Sequence, residues 1–155
     1  MQKILFPVLI FYCLSLSGQS KSIDSFRKAY KEDNNIFIYS STLQMLNEEK
    51  NPEFSDLVKD IEEIRILNYN KENQPFKTEE FTDLKTRLTD ENYQELMIIS
   101  ERGNKIFLYG REKREKMVGF VALIENAETF TIIDVVGGLD FKKFMELKNK
   151  LDTRL

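Results

Sequence analysis

The chain has 155 residues, 23 basic against 26 acidic, a net charge of −3, no histidine, no tryptophan and one cysteine, Cys13. Lacking histidine and any second thiol, it cannot build serine- or cysteine-protease triads, and an ordinary zinc site loses both favoured ligands. The acidic balance argues against nucleic acid as a partner, because phosphate binding draws on a basic surface.

In chain order, Lys3 precedes an apolar run from Ile4 to Leu14, followed by Ser15, Ser17, Gly18 and Gln19. A charged start, a short apolar middle and a small-residue exit are the layout of a secretory signal peptide. The run falls short of the roughly 20 residues that span a bilayer. Residues 1–18 are therefore expected to be cleaved, after Gly18 or Ser17, leaving no stable membrane span in the mature chain. Residues 19–155 are expected to form a single exported α+β domain, periplasmic or secreted, of net charge −4 once Lys3 is lost. Cys13 leaves with the signal segment, so no disulfide is expected, and the bulky Tyr12 before it speaks against lipoprotein processing. A domain of this length builds a core without staples.

Ile23, Phe26 and Tyr30 predict a short amphipathic helix, with Ser22 as its cap and Asn34-Asn35 as its break. Ile36–Tyr39 reads as a strand, and Ser41 with Gln44 as a capping box for a turn carrying Leu43 and Leu46. Asn51 and Pro52 open a clearer helix, with Phe54, Leu57, Val58 and Ile61 on one face. A strand over Ile64–Tyr69 follows, then a polar loop, then a helix opened by Pro75 with Phe81, Leu84 and Leu88 inward. Leu96–Ser100, Lys105–Tyr109, Met117–Ile124 and Phe130–Val136 form four strands with short connectors, hence an antiparallel meander. Gly137-Gly138 end the last strand, and Asp140 caps a closing helix carrying Phe141, Phe144, Leu147 and Leu151. The expected fold is α+β: a four-stranded C-terminal meander plus two earlier strands, packed with about four amphipathic helices.

The strand Met117–Ile124 is apolar on both faces, with Val118, Phe120, Ala122 and Ile124 on one and Met117, Val121 and Leu123 on the other. Half-exposed antiparallel strands alternate instead. Both sheet faces should be covered, by helices on each or by helices on one and a second subunit or protein partner on the other. Asp134 shares strand parity with Phe130, Ile132 and Val136, so it points into an apolar face, where a carboxylate needs a partner or becomes neutral. Arg65, between Ile64 and Ile66, is a candidate partner, though sequence alone does not bring the two together. Asp60, Glu62 and Glu63 read as a solvated acidic face. Arg111, Lys113, Arg114 and Lys116 read as a solvated hairpin tip, and Tyr39, Tyr69 and Tyr109 as core-edge residues. No catalytic, cofactor-binding or metal-ligating residue is assigned.

Ile64-Arg65-Ile66-Leu67 before a polar break, Tyr93-Gln94-Glu95-Leu96-Met97 opening a strand, the two-faced Met117–Ile124, and Gly137 leading into Leu139-Asp140-Phe141 occur in that order. In this the chain resembles the small exported Bacteroidetes proteins of the domain of unknown function 4252 family, over roughly Ser22 to Leu151. The resemblance implies a Gram-negative host and export. It brings no activity and no site residues.

The expected function is a non-enzymatic binding or regulatory module acting through a protein surface, with a homodimer or protein partner on an apolar sheet face. One alternative is a carrier of an apolar ligand in a pocket lined by Phe120, Phe130 and Phe144. Another is a hydrolase using carboxylates alone, which needs two acids converging in a cleft.

Overall fold

Short polar connectors between apolar runs fold the second half of the chain into a meander. In the computed structural model, which describes residues 19–47, 50–73, 77–140 and 142, its strands are β3 (Tyr93–Glu101), β4 (Asn104–Lys113), β5 (Lys116–Glu125) and β6 (Thr129–Gly137). The earlier strands are β1 (Asn34–Tyr39) and β2 (Ile61–Asn70). All six join one antiparallel sheet in the order β1-β2-β6-β5-β4-β3. The chain thus builds from β3 inward to β6, and β6 closes against β2. That leaves β1 and β3 as the two edges.

Four helices pack on this sheet among the described residues: α1 (Lys21–Ala29), α2 (Ser40–Met45), α3 (Pro52–Val58) and α4 (Thr78–Asp90). Helix α3 starts as the spacing predicts, with Asn51 Oδ1 accepting from the amides of Glu53 and Phe54 at 2.9 and 3.3 Å and Pro52 at the first helical position. Three other expected starts shift. The cap of α1 is Ser20, whose Oγ accepts from Ile23 N at 3.2 Å, while Ser22 Oγ donates to Glu91. Asn34 and Asn35 sit inside β1 rather than before it. The Ser41–Gln44 box does not form: α2 starts at Ser40 without a side-chain cap, and Leu46 is exposed while Leu43 is buried. Pro75 and the closing helix after Asp140 lie outside the described residues, as does the segment 1–18. The described α4 begins at Thr78, with Glu80 accepting from the Lys77 amide at 3.0 Å.

Strand parity divides the core in two. On one face, α1 and α4 bring Ile23, Phe26, Leu84 and Leu88 onto Leu67, Tyr69, Phe107, Tyr109, Val121, Leu123, Phe130 and Ile132. Tyr69 and Tyr109, expected at the core edge, lie inside this cluster, whereas Tyr39 is exposed. On the other face, α2 and α3 bury Leu43, Leu57, Val58 and Ile61 against Ile38, Ile64, Val135 and Leu139, at the end where β1 and β2 lie. Described helices therefore cover both faces, but the second only in part.

The tip between β4 and β5 is a two-residue turn with Arg114 at φ 54° and Glu115 at φ 61°. Turns of this kind favour Asn-Gly, because left-handed backbone costs other residues about 1 kcal/mol each. Replacing Arg114→Asn together with Glu115→Gly is expected to raise stability by about 1 kcal/mol. A shift of the urea midpoint at unchanged slope reads this, and no upward shift would show the turn to be unstrained.

Candidate functional site

Cross-strand register sets which residues meet across the sheet. On the face covered by α1 and α4, one row runs Phe37, Arg65, Asp134, Val121, Tyr109 and Glu95. Arg65 and Asp134, singled out separately in the sequence, are thus direct neighbours on β2 and β6. Asp134 is 0 % exposed and Arg65 2 %. The guanidinium Nε donates to Asp134 Oδ2 at 3.2 Å, and a second guanidinium nitrogen donates to the same oxygen. The remaining nitrogen donates to Asp24 Oδ1 of α1 at 2.7 Å. Asp24 stays 38 % exposed at its side chain, so the arginine bridges a buried acid and a half-wet one.

Burial pushes the Asp134 carboxyl above the usual carboxylate range, with Arg65 opposing the shift. Burial pushes the Tyr93 phenol up to about 12, helped by the nearby charge of Asp134. Asp134 Oδ1 and the Tyr93 hydroxyl have no hydrogen-bond partner among the described residues. Arg111 lies over the Tyr93 ring at 4.9 Å. Glu91 then ties this end of α1 down, accepting from the amides of Lys21 and Ser22 at the positive end of the helix. The arrangement is a carboxylate–guanidinium–carboxylate bridge that locks α1 to the centre of the sheet. Two acids do converge here, but on an arginine and under a helix.

The aromatic lining expected for a carrier is not brought together. Phe130 pairs with Glu125, and Phe120 with Val135, which places the two rings on opposite faces of the sheet. Phe144 lies outside the described residues. Around Phe130 the space is filled by rings: Phe26 at 5.8 Å, Phe81 at 5.3 Å and Tyr69 at 6.1 Å between centroids.

The second face differs in character. One row across all six strands runs Ile36, Ile66, Ile133, Ala122, Leu108 and Met97. None of these six reaches core burial, and Ile36 is 48 % exposed. The adjoining row carries Ile124, Ile106 and Ile99. At the β3 edge Leu96, Ile98 and Ile99 are 42, 50 and 39 % exposed. Leu96 is the extra residue of a β-bulge and reaches over Gly110, with a methyl 2.7 Å from where a Cβ would stand. Sequence reasoning noted a two-faced β5 but missed this edge, because the apolar run Leu96–Ile99 signals exposure only when its strand is known to be outermost.

No helix among the described residues is long and apolar enough to cross a membrane. No curated protein and no solved structure matches the chain. The family model for a domain of unknown function, number 4252, matches residues 30–147, and the chain belongs to that family.

Proposed function

We propose that this protein is an exported, non-enzymatic binding module that acts through the second face of its sheet. The observation that carries this reading is the row Ile36, Ile66, Ile133, Ala122, Leu108 and Met97, apolar from edge to edge with none of the six reaching core burial. Contiguous apolar surface left open to solvent marks interaction sites on folded proteins, and this row is half-buried from Ile66 to Met97 and exposed at Ile36. The chemistry on the opposite face supports the non-enzymatic half: Arg65 and Asp134 are shut under α1, and the guanidinium spends its hydrogen bonds on Asp134 and Asp24. Export rests on the layout of residues 1–18.

A photo-crosslinking side chain tests the reading in cells. Placed at Ile36 or Ala122, it should give discrete protein adducts, while the same group at Glu79 on α4 should not. Absence of adducts from both second-face positions in folded protein would overturn the proposal.

A further inference from the structure

We propose that the open edge strand β3 is the self-association edge of the molecule, pairing antiparallel with β3 of a second copy about a two-fold axis at Ile99. The inference deepens the reading above by extending its apolar face across two copies, and it rests on that reading.

An outermost strand presents unpaired N–H and C=O groups along its free side, and folded proteins blunt such edges with lysine, proline, bulges or cover. Within Tyr93–Glu101 there is no lysine, arginine or proline. Every residue from Gln94 to Glu101 is exposed except the half-buried Met97. Among the described residues the only protective device is the bulge at Leu96, between Glu95 and Met97. Beyond it, Met97-Ile98-Ile99-Ser100-Glu101 runs in unbroken register with β4 as far as the tip at Arg102-Gly103. The other edge, β1, is only six residues long, begins with two asparagines and turns directly into α2.

Symmetry and the bulge then choose the partner and the register. A two-fold perpendicular to the sheet keeps each face continuous, so a residue meets one of its own parity and the axis passes through a residue. With the axis at Ile99, the regular stretch is self-complementary: Ile99 meets Ile99, Ile98 meets Ser100, and Met97 meets Glu101. With the axis at Ile98, Ser100 and Glu101 would instead have to pair across the bulge at Leu96, outside the regular stretch, where the ladder is broken. The chosen register also joins Ile99 to its own counterpart, so the second-face row Ile124, Ile106 and Ile99 runs on from one copy into the next. A pairing this short buries less than the roughly 800 Å² per partner of a standard interface, so the dimer should be concentration-dependent.

Two measurements on the full chain test it. Sedimentation over a roughly hundredfold concentration range should show a monomer–dimer equilibrium, and Ile98→Lys, at a half-exposed site, should abolish the dimer while leaving the circular dichroism unchanged. In a Cys13→Ser background, Ile99→Cys should cross-link to a dimer on mild oxidation, because directly opposed Cα atoms lie about 4.5–5.5 Å apart, within disulfide reach. Ile98→Cys should not cross-link, its own copy being offset by two residues along the strand, about 8 Å away. The proposal is overturned by a monomer at every concentration, by a dimer that survives Ile98→Lys, or by cross-linking through position 98 and not 99. Any of these results alongside adducts from Ile36 or Ala122 would remove the dimer and leave the binding reading standing.

Discussion

Leucine at Asp134, or methionine at Arg65, is expected to cost about 3–5 kcal/mol of folding stability, whereas the double variant Arg65→Met/Asp134→Leu should fall within about 1 kcal/mol of the parent. Each single change strands one member of a pair that is almost fully enclosed. Attraction within a buried pair is set against the cost of dehydrating both ions, so losing one partner leaves that cost uncompensated. Removing both removes the cost, and the neighbouring row positions Phe37, Val121 and Tyr109 accept apolar side chains. Asp24 loses its partner in the double variant, but it is partly solvated and sits in the first turn of α1, where negative charge is favourable.

The single variants should separate by pH. In Arg65→Met the buried carboxyl has lost the cation that opposed its upward shift. Its folded-state pKa then stands above the unfolded value of about 3.9. The folded state binds the proton more tightly, so Arg65→Met is least destabilised in acid and loses stability as pH rises through the raised folded-state pKa. Asp134→Leu has no such carboxyl and should lack that dependence. Urea titrations of the four proteins at about pH 4.5 and about pH 7.5 measure all of this. A single-variant cost below about 1 kcal/mol would show that the pair is not desolvated as its burial implies.

The same pair shows how far the fold was legible. Each residue stood out because a charge flanked by isoleucine, or sharing parity with Phe130 and Ile132, is anomalous on a strand. Their meeting depends on β2 pairing with β6 across about seventy residues of chain. No local pattern encodes that distance, because register between distant strands is settled by packing of the whole sheet. The meander was legible for the opposite reason: each hairpin is local, and its connector length nearly determines it. Cap choice failed where two serines competed. Ser20 and Ser22 are equal by propensity, and Glu91 takes the hydroxyl of Ser22 from 69 residues away. The open edge at β3 was hidden with the strand order, since a run such as Leu96–Ile99 reads the same in a central strand.

Gly137→Ala should be among the most damaging conservative changes in the chain, at about 3 kcal/mol or more, and Gly103→Ala provides its control. Both glycines have left-handed backbone, at φ +108° and φ +81°. At Gly103, on the exposed turn between β3 and β4, a Cβ would meet nothing within 4 Å, so only the conformational penalty of about 1 kcal/mol remains. At Gly137 the Cβ would collide with the carbonyl oxygen of Asp60 and stand 2.8 Å from the amide nitrogen of Glu62. Those are backbone atoms and cannot swing aside. Gly137 faces Ile61 where β2 slips register before Glu63, and the same Asp60 carbonyl accepts from Gly138 N at 2.7 Å. Relieving the clash would open that hydrogen bond and shift Leu139, which packs against the cluster of Leu43, Leu57, Val58 and Ile61 on the second face. Thermal and urea unfolding of the two variants therefore separate strain from collision: the excess loss at Gly137 is the collision. Equal losses would show that backbone conformation alone, and not the approach of β2, demands glycine there.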